Sequence, residues 1–448
     1  MDTETLLEKY NVVAPRYTSY PTVPYWDNEL FTKEDWLENF KKTYVAHKSE
    51  GISLYIHLPF CENLCTYCGC NKRITKNHGV EKPYIQAVLK EWAMYIAILG
   101  EKPKLKELHL GGGTPTFFSA ENLEILINGI TAHAEMVSDA EFSFEAHPAN
   151  TTAAHLSVLY SLGFKRLSLG IQDFDPHVQF LINRFQTPEQ VDEVVKEARR
   201  IGYTSINFDL IYGLPGQNLT NLGKTIAQSI LLQPDRIAYY SYAHVPWLKA
   251  GQRHYSEKDI PVGNEKFALY KLGRQLFIDA GYEDVGMDHF ALKSDSLYLA
   301  SAEQKLHRNF MGYTDQHTHL LLGLGVSAIS DSWNAFAQNS KVVETYIDKV
   351  ENGILPVEKG HILTENDLEI REHILNLMCR AHTVYKNGIP KHIKSRLEPL
   401  LADKLIVFDD FRVDITEIGK SFLRNVCMVF DEKLWLKQPQ TQLFSSAV

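Results

Sequence analysis

The 448-residue chain, with 44% hydrophobic and 23% charged residues, has the proportions of a globular protein with room for about three average domains or one large one with appendages. Its formal charge of −9 argues against a general nucleic-acid binder, which carries a basic face, but leaves room for a basic pocket and an anionic small molecule. No uninterrupted apolar stretch reaches about 18 residues, and the acidic start Met-Asp-Thr-Glu lacks a basic region ahead of an apolar core, so a cytoplasmic protein without a membrane span is expected.

Residues 1–50 read as an N-terminal arm. Its Pro15-Arg-Tyr-Thr-Ser-Tyr-Pro-Thr22 run is too rich in Pro and Tyr to be helical. Thr32, followed by Glu34 and Asp35, opens a helix with Trp36, Phe40 and Tyr44 on one face. From residue 51 strands and helices alternate. The strands are expected at Ser53 to His57, Glu107 to Leu110, Glu141 to Glu145, Arg166 to Ile171, Ser205 to Leu210 and Arg236 to Tyr240. The clearest helix starts at Thr187-Pro-Glu, runs through Val191, Val194, Val195, Ala198 and Ile201, and stops at Gly202. Six such units predict an α/β fold, a partial (β/α)6 barrel with a parallel sheet.

A helix near Asn264 to Ala280 and a strand near Tyr282 to Gly286 extend that sheet or its edge, and the Gly-rich Leu321 to Ile329 is expected to pack under the barrel. Pro356 to Gly360 marks a boundary between a catalytic domain, 51–355 with its core at about 51–280, and a mainly helical domain, 356–448. The latter has helices from about Thr364 and Pro390, a hairpin turning at Asp409-Asp410 and a last helix from Thr416, a winged-helix-like pattern. From His361 onward twelve Lys and Arg face twelve Asp and Glu, so a DNA-reading role is rejected in favour of a lid or packing domain. The segment after Gln438 is a polar tail.

Cys61, Cys65 and Cys68 form a C-x3-C-x2-C triplet just after the first strand. A structural zinc site wants four ligands in two pairs, and no second pair follows; disulfides do not suit a chain without a secretory signal. Three thiolates are one fewer than a [4Fe–4S] cluster takes, which leaves one iron open. Cys70 is a bystander or a marker. In a parallel α/β barrel functional groups gather at the C-terminal ends of strands. There the cysteine loop leaves the first strand and Gly111-Gly112-Gly113-Thr114 the second. Glu145 ends the third, Gln172 the fourth and Asp209 the fifth, while the sixth ends near Ala243. Singly, Glu145 and Asp209 read as caps or ion-pair partners, and Arg184 as a surface ion pair or a carboxylate clamp. His57, His109 and His147 read as packing or hydrogen-bonding residues.

The open cluster resembles that of the radical S-adenosylmethionine (SAM) enzymes. Further motifs, Tyr55 to Cys61, Gly111 to Thr116, Gly170 to Phe174, Asn207 to Gly213 and Arg308 to Thr314, with the arm Pro15 to Thr22, resemble the oxygen-independent coproporphyrinogen III oxidases from about residue 10 to about residue 435. That resemblance implies that Cys61, Cys65 and Cys68 hold the cluster and that Tyr55, Glu145, Ala243 and Ile329 contact SAM. It implies a second SAM beside Tyr67, Gly112, Gly113, Thr114, Gln172, Arg184 and Asp209. The implied reaction decarboxylates two propionates of coproporphyrinogen III to vinyl groups in heme biosynthesis, with an electron donor such as a flavodoxin or ferredoxin and a monomeric enzyme. The alternatives are a radical-SAM-like heme chaperone and a heme-degrading radical SAM methyltransferase. A broad, apolar, carboxylate-edged substrate wants aromatic walls and cations. Tyr20, Tyr25, Trp26 and Arg16 of the arm, Tyr239, Tyr240, Tyr242 and Trp247 after the sixth strand, and Arg308 are the candidates. The arm would fold over the barrel mouth as a lid, so that deleting residues 1–30 abolishes decarboxylation and spares the cluster.

Overall fold

The computed structural model of the protein describes residues 3–437; the tail expected after Gln438 lies outside them. Its framework is a 12-stranded open sheet. Six parallel strands form the centre: β1 (Ile52–Leu58), β2 (Lys104–Gly112), β3 (Glu135–Ala146), β4 (Phe164–Gln172), β5 (Ser205–Tyr212) and β6 (Arg236–Ser241), side by side in chain order. All six expected strands are present, each longer than its sequence signal, the second and third by more than half. Helices Glu81–Leu99, Ala120–Thr131, Ala153–Ser161, Pro188–Ile201 and Leu219–Leu231 link them. Pro188–Ile201 shows why the local signal sufficed. Thr187 and Gln190 close a capping box, Val191, Val194, Val195 and Ala198 are buried, and Gly202 ends the helix at φ 121°.

Beyond β6 the sheet continues antiparallel through β8 (His289–Leu292) to β7 (Tyr282–Asp284), as the edge expected there. The other edge differs from expectation. The Gly-rich segment, expected to pack under the barrel, contributes a strand to the sheet itself, β9 (Leu321–Leu324), parallel to β1. Gly323 makes this possible, since a Cβ there would stand 2.5 Å from the Ile329 carbonyl oxygen. Antiparallel β10 (Ile329–Asp331), β11 (Ala335–Asn339) and β12 (Val357–Ile362) follow. β12 runs through the stretch Pro356 to Gly360 expected as a boundary, and with it the main sheet extends to Ile362.

Helices Glu365–Arg380 and Lys391–Ala402 then pack with a three-stranded sheet of His382–Val384, Arg412–Ile415 and Ile406–Phe408, the expected hairpin plus one strand. Their core contains Ile374, Leu377, Leu397, Val413 and Val426, and also Leu6, Leu7, Tyr10, Tyr17 and Tyr20 of the arm. The arm begins with an unanticipated helix, Thr3–Tyr10. It is pinned by Arg424 Nε to the Pro15 carbonyl (3.0 Å), by Asn425 Nδ2 to the Tyr10 carbonyl (2.8 Å) and by the Tyr17 hydroxyl to Asp431 (3.0 Å).

Candidate active site

At the C-terminal ends of β1 to β6 the loops surround one cavity of about 410 Å3. The cysteine loop is clamped at its base by Phe60–Cys61, which pairs in parallel with Arg73–Ile74. Its middle is tied to the loop after β4 by the Thr66 amide on the Ile182 carbonyl (3.0 Å) and by Asn183 Nδ2 on the Leu64 carbonyl (2.8 Å). Gln252 Nε2 holds the Tyr67 carbonyl (3.1 Å) from the segment after β6.

Cys61, Cys65 and Cys68 all line the cavity, and none is bridged. Thr114 Oγ1 donates toward Cys61 Sγ (3.4 Å) and Arg184 Nη1 toward Cys65 Sγ (3.6 Å). Burial pushes the Cys61 thiol up to about 11, whereas a hydrogen bond from Cys70 pulls Cys68 down to about 5. Three unbridged thiols with donors aimed at two of their sulfurs fit an iron–sulfur cluster that takes them as thiolates. The glycines supply close approach. A Cβ on Gly113 would lie 2.6 Å from the Pro59 backbone, and Gly112 adopts φ 116° with its missing Cβ 2.7 Å from the His57 ring.

Glu145 sits one residue from the end of β3 and accepts from the Gly112 amide at 3.1 Å. Burial pushes its carboxyl up, but His109 at 3.6 Å, the Gly112 amide and His57 outweigh this and hold it below its ordinary range. Asp209 is not at a strand end as expected; it lies within β5, three residues before Tyr212, and so deeper in the barrel. Burial, then the Glu145 charge, raises Asp209 to about 7 against the hydrogen bonds of Ser168 (3.1 Å) and Asn207 (2.9 Å). The cavity thus has one carboxyl shifted down, toward its ionised form, and one shifted up to about 7, into the neutral range. Arg184 is buried, donates to the Gly170 carbonyl, and has no partner for Nε among the described residues. Gln172, last in β4, adopts φ 68°, a left-handed conformation at a register shift in the β4–β5 pairing, which re-aims its side chain toward the cavity it lines.

Tyr67, Gly112, Gly113, Thr114, Glu145, Gln172, Arg184 and Asp209 all line this cavity; Tyr55, Ala243 and Ile329 do not. The Tyr55 hydroxyl bonds His57 Nδ1 (3.0 Å) and its ring lies against Gly111. The Ala243 carbonyl accepts from Gln252 (3.0 Å), and the Ile329 side chain packs with Trp26 and Phe336. Lys72, His147, Asn150, Asn183 and Phe185 also line the cavity without having been assigned to it. Of these, His147 borders a strand end, where the sequence reads it as a packing or hydrogen-bonding residue, and Lys72 adjoins the cysteine run. His57 and His109 are hydrogen-bonded as expected, to the Asn71 carbonyl (2.8 Å) and Ser143 (2.8 Å).

The aromatic candidates separate by strand alternation. Tyr240 lines the cavity, while Tyr239 faces the helix behind and bonds the Leu269 carbonyl (2.8 Å). Tyr242 is buried against Tyr255 (2.6 Å). Tyr20 is buried with the C-terminal helices and Trp26 stacks on Phe336 at 5.4 Å, so neither walls the cavity. Arg16 reaches the Ser241 carbonyl (2.9 Å) at the end of β6 and lies over the Tyr240 ring, and Arg308 is buried on the Tyr313 ring. Phe185, Trp247 and Leu248 are exposed apolar side chains on the loops after β4 and β6.

Residues 55–228 match the radical SAM superfamily. The oxygen-independent coproporphyrinogen III oxidase of Pseudomonas aeruginosa is 37% identical over 99% of this chain and 98% of its own length. That of Escherichia coli K12 is 36% identical with the same coverage. The chain belongs to the oxygen-independent coproporphyrinogen III oxidase family. A solved structure of coproporphyrinogen III oxidase (HemN) from Escherichia coli, described as a radical SAM enzyme, superposes with a TM-score of 0.90 over 96% of this chain and 99% of that one, at 35% identity. Membership extends over the arm and C-terminal region as well as the barrel. The radical SAM family implies a [4Fe–4S] cluster and SAM, and three unbridged thiols line the cavity. Among the described residues no helix is long and apolar enough to cross a membrane.

Proposed function

We propose that the protein catalyses the anaerobic oxidative decarboxylation of two propionate side chains of coproporphyrinogen III to vinyl groups, giving protoporphyrinogen IX. The observation that carries this is the near full-length match to oxidases of that name, joined to three unbridged thiols at one cavity. When bound, the cluster and SAM would supply the radical chemistry that removes hydrogen from the substrate. The chain's own residues place and shield these groups. Cys61, Cys65 and Cys68 hold the iron, with Thr114 and Arg184 donating to sulfur. Glu145, held below its ordinary range, would accept from the amino group of SAM, while Tyr55, Ala243 and Ile329 stand outside the cavity lining and receive no contact in this reading. Asp209 accepts or donates at a ribose hydroxyl, and Arg184 offers its free Nε to a carboxylate. A second SAM beside Tyr67, Gly112, Gly113, Thr114, Gln172, Arg184 and Asp209 is supported by all seven lining the same cavity. The exposed Phe185, Trp247 and Leu248 suit the apolar face of a porphyrinogen. A flavodoxin or ferredoxin delivers the electron, and six unbridged cysteines suit a reducing, cytoplasmic setting.

The test is anaerobic incubation of the iron- and sulfide-reconstituted protein with coproporphyrinogen III, SAM and a reductant. Release of CO2 with a divinyl product is expected. Heme binding without turnover, or methyl transfer from SAM to the tetrapyrrole, would replace this reading with a chaperone or a methyltransferase.

A further inference from the structure

At the other end of β1 lies a second group of donor side chains that the decarboxylation does not use. His47 is the last residue of helix Lys33–His47, and Glu50 follows one turn later with its amide on the His47 carbonyl (2.9 Å). His319 stands two residues before β9, the strand parallel to β1. One carboxylate joins the two rings: His47 Nδ1 is 2.8 Å from Glu50 Oε1 and His319 Nδ1 is 2.8 Å from Glu50 Oε2. The imidazoles are stacked, with centroids 3.7 Å apart and planes at 14°. All three side chains are part-exposed, at 34%, 36% and 24%, so an ion can reach them.

We propose that His47, Glu50 and His319 form a binding site for a divalent d-block cation of the zinc type. One donor atom from each residue lies within 4.8 Å of the others, on a backbone that already holds them together. Two imidazoles and one carboxylate are a borderline nitrogen–oxygen donor set, which suits zinc, nickel or copper and not the all-oxygen shells of calcium or magnesium. His317 adds a further ring 4.9 Å from His319, so the fourth position falls to it or to water. The backbone favours positive charge here as well, because the carbonyl end of helix Lys33–His47 points at the site. A bound ion clips that helix to β9. The site is distinct from the cysteine cavity: Glu50 precedes β1 and Cys61 follows it, and a seven-residue strand separates them by about 20 Å.

The test uses the holoenzyme, in which the cluster occupies the three cysteines, equilibrated with micromolar zinc chloride and desalted. Metal analysis should find one zinc per chain beyond the cluster iron. Zinc K-edge absorption should show a nitrogen–oxygen first shell at about 2.0–2.1 Å with imidazole scattering. Glu50→Gln and His319→Gln should lower retained zinc at least tenfold while cluster iron and decarboxylation stay at wild-type levels. Zinc that is not retained by the wild type, that shows a sulfur shell, or that persists in a Glu50→Gln/His319→Gln double variant with native circular dichroism overturns the assignment.

Discussion

Gly113 shows how little freedom single residues have at the cavity. Its absent Cβ would meet backbone, the Pro59 carbonyl, which cannot rotate away as a side chain could. Gly113→Ala is expected to shift the base of the cysteine loop and reduce turnover by about 10²-fold, read from CO2 release with iron content measured in parallel. Asp209 carries a pH signature. Its carboxyl is raised from 3.8 to about 7, so the folded state keeps a proton that the unfolded chain has lost over that interval. Its contribution is full below pH 3.8 and disappears as pH rises through 7. The stability of the wild type relative to Asp209→Asn should therefore decline between those limits in urea titrations at a series of pH values; a flat difference contradicts the assignment. Arg184 sits between Cys65 and Gly170 with a fork that lysine cannot reproduce. Arg184→Lys is expected to weaken SAM binding by about 1–3 kcal/mol while retaining cluster iron, as equilibrium dialysis would report.

At the scale of elements, a buried carboxylate joins what the Gly-rich segment separates. Glu91, on helix Glu81–Leu99, accepts from the Gly325 amide (2.8 Å), Asn339 Nδ2 (2.7 Å) and the Tyr346 hydroxyl (2.6 Å). It thereby holds the turn after β9, the end of β11 and helix Val343–Glu351 to one point. Three donors converge on two oxygens, so an amide in their place turns an NH2 toward a donor. Glu91→Gln should cost about 1–3 kcal/mol, seen as a lower urea midpoint with unchanged slope, and should leave the thiol cavity's residues in place. The β9 crossing explains why the segment escaped a strand assignment. Its glycines serve backbone crossing at Gly323, and glycine in sequence reads as a turn.

For the molecule as a whole, the arm unites the barrel and the C-terminal helices. Leu6, Leu7, Tyr10, Tyr17 and Tyr20 belong to the core of that region, while Arg16 reaches the end of β6. Deleting residues 1–30 removes core as well as any cover over the cavity, so lost turnover after deletion would follow from lost folding. Tyr17→Phe is the cleaner probe. It removes the hydroxyl that serves the buried Asp431, at an expected cost of about 1–3 kcal/mol, lowering the thermal midpoint without changing iron content.

The amino-acid sequence by itself determined the six parallel strands, the capped helices and the cysteine, glycine and Glu145 positions along one rim. Those features depend on local periodicity, capping and turn chemistry, which neighbouring residues express. Tertiary structure alone decided that β9 to β12 extend the sheet to Ile362, that Tyr239 and Tyr240 face opposite ways, that Asp209 lies deep enough for its carboxyl to be shifted up, and that His47 and His319 meet at Glu50. These depend on contacts between residues far apart in the chain, where burial and charge are shared properties of the fold and no short stretch carries them.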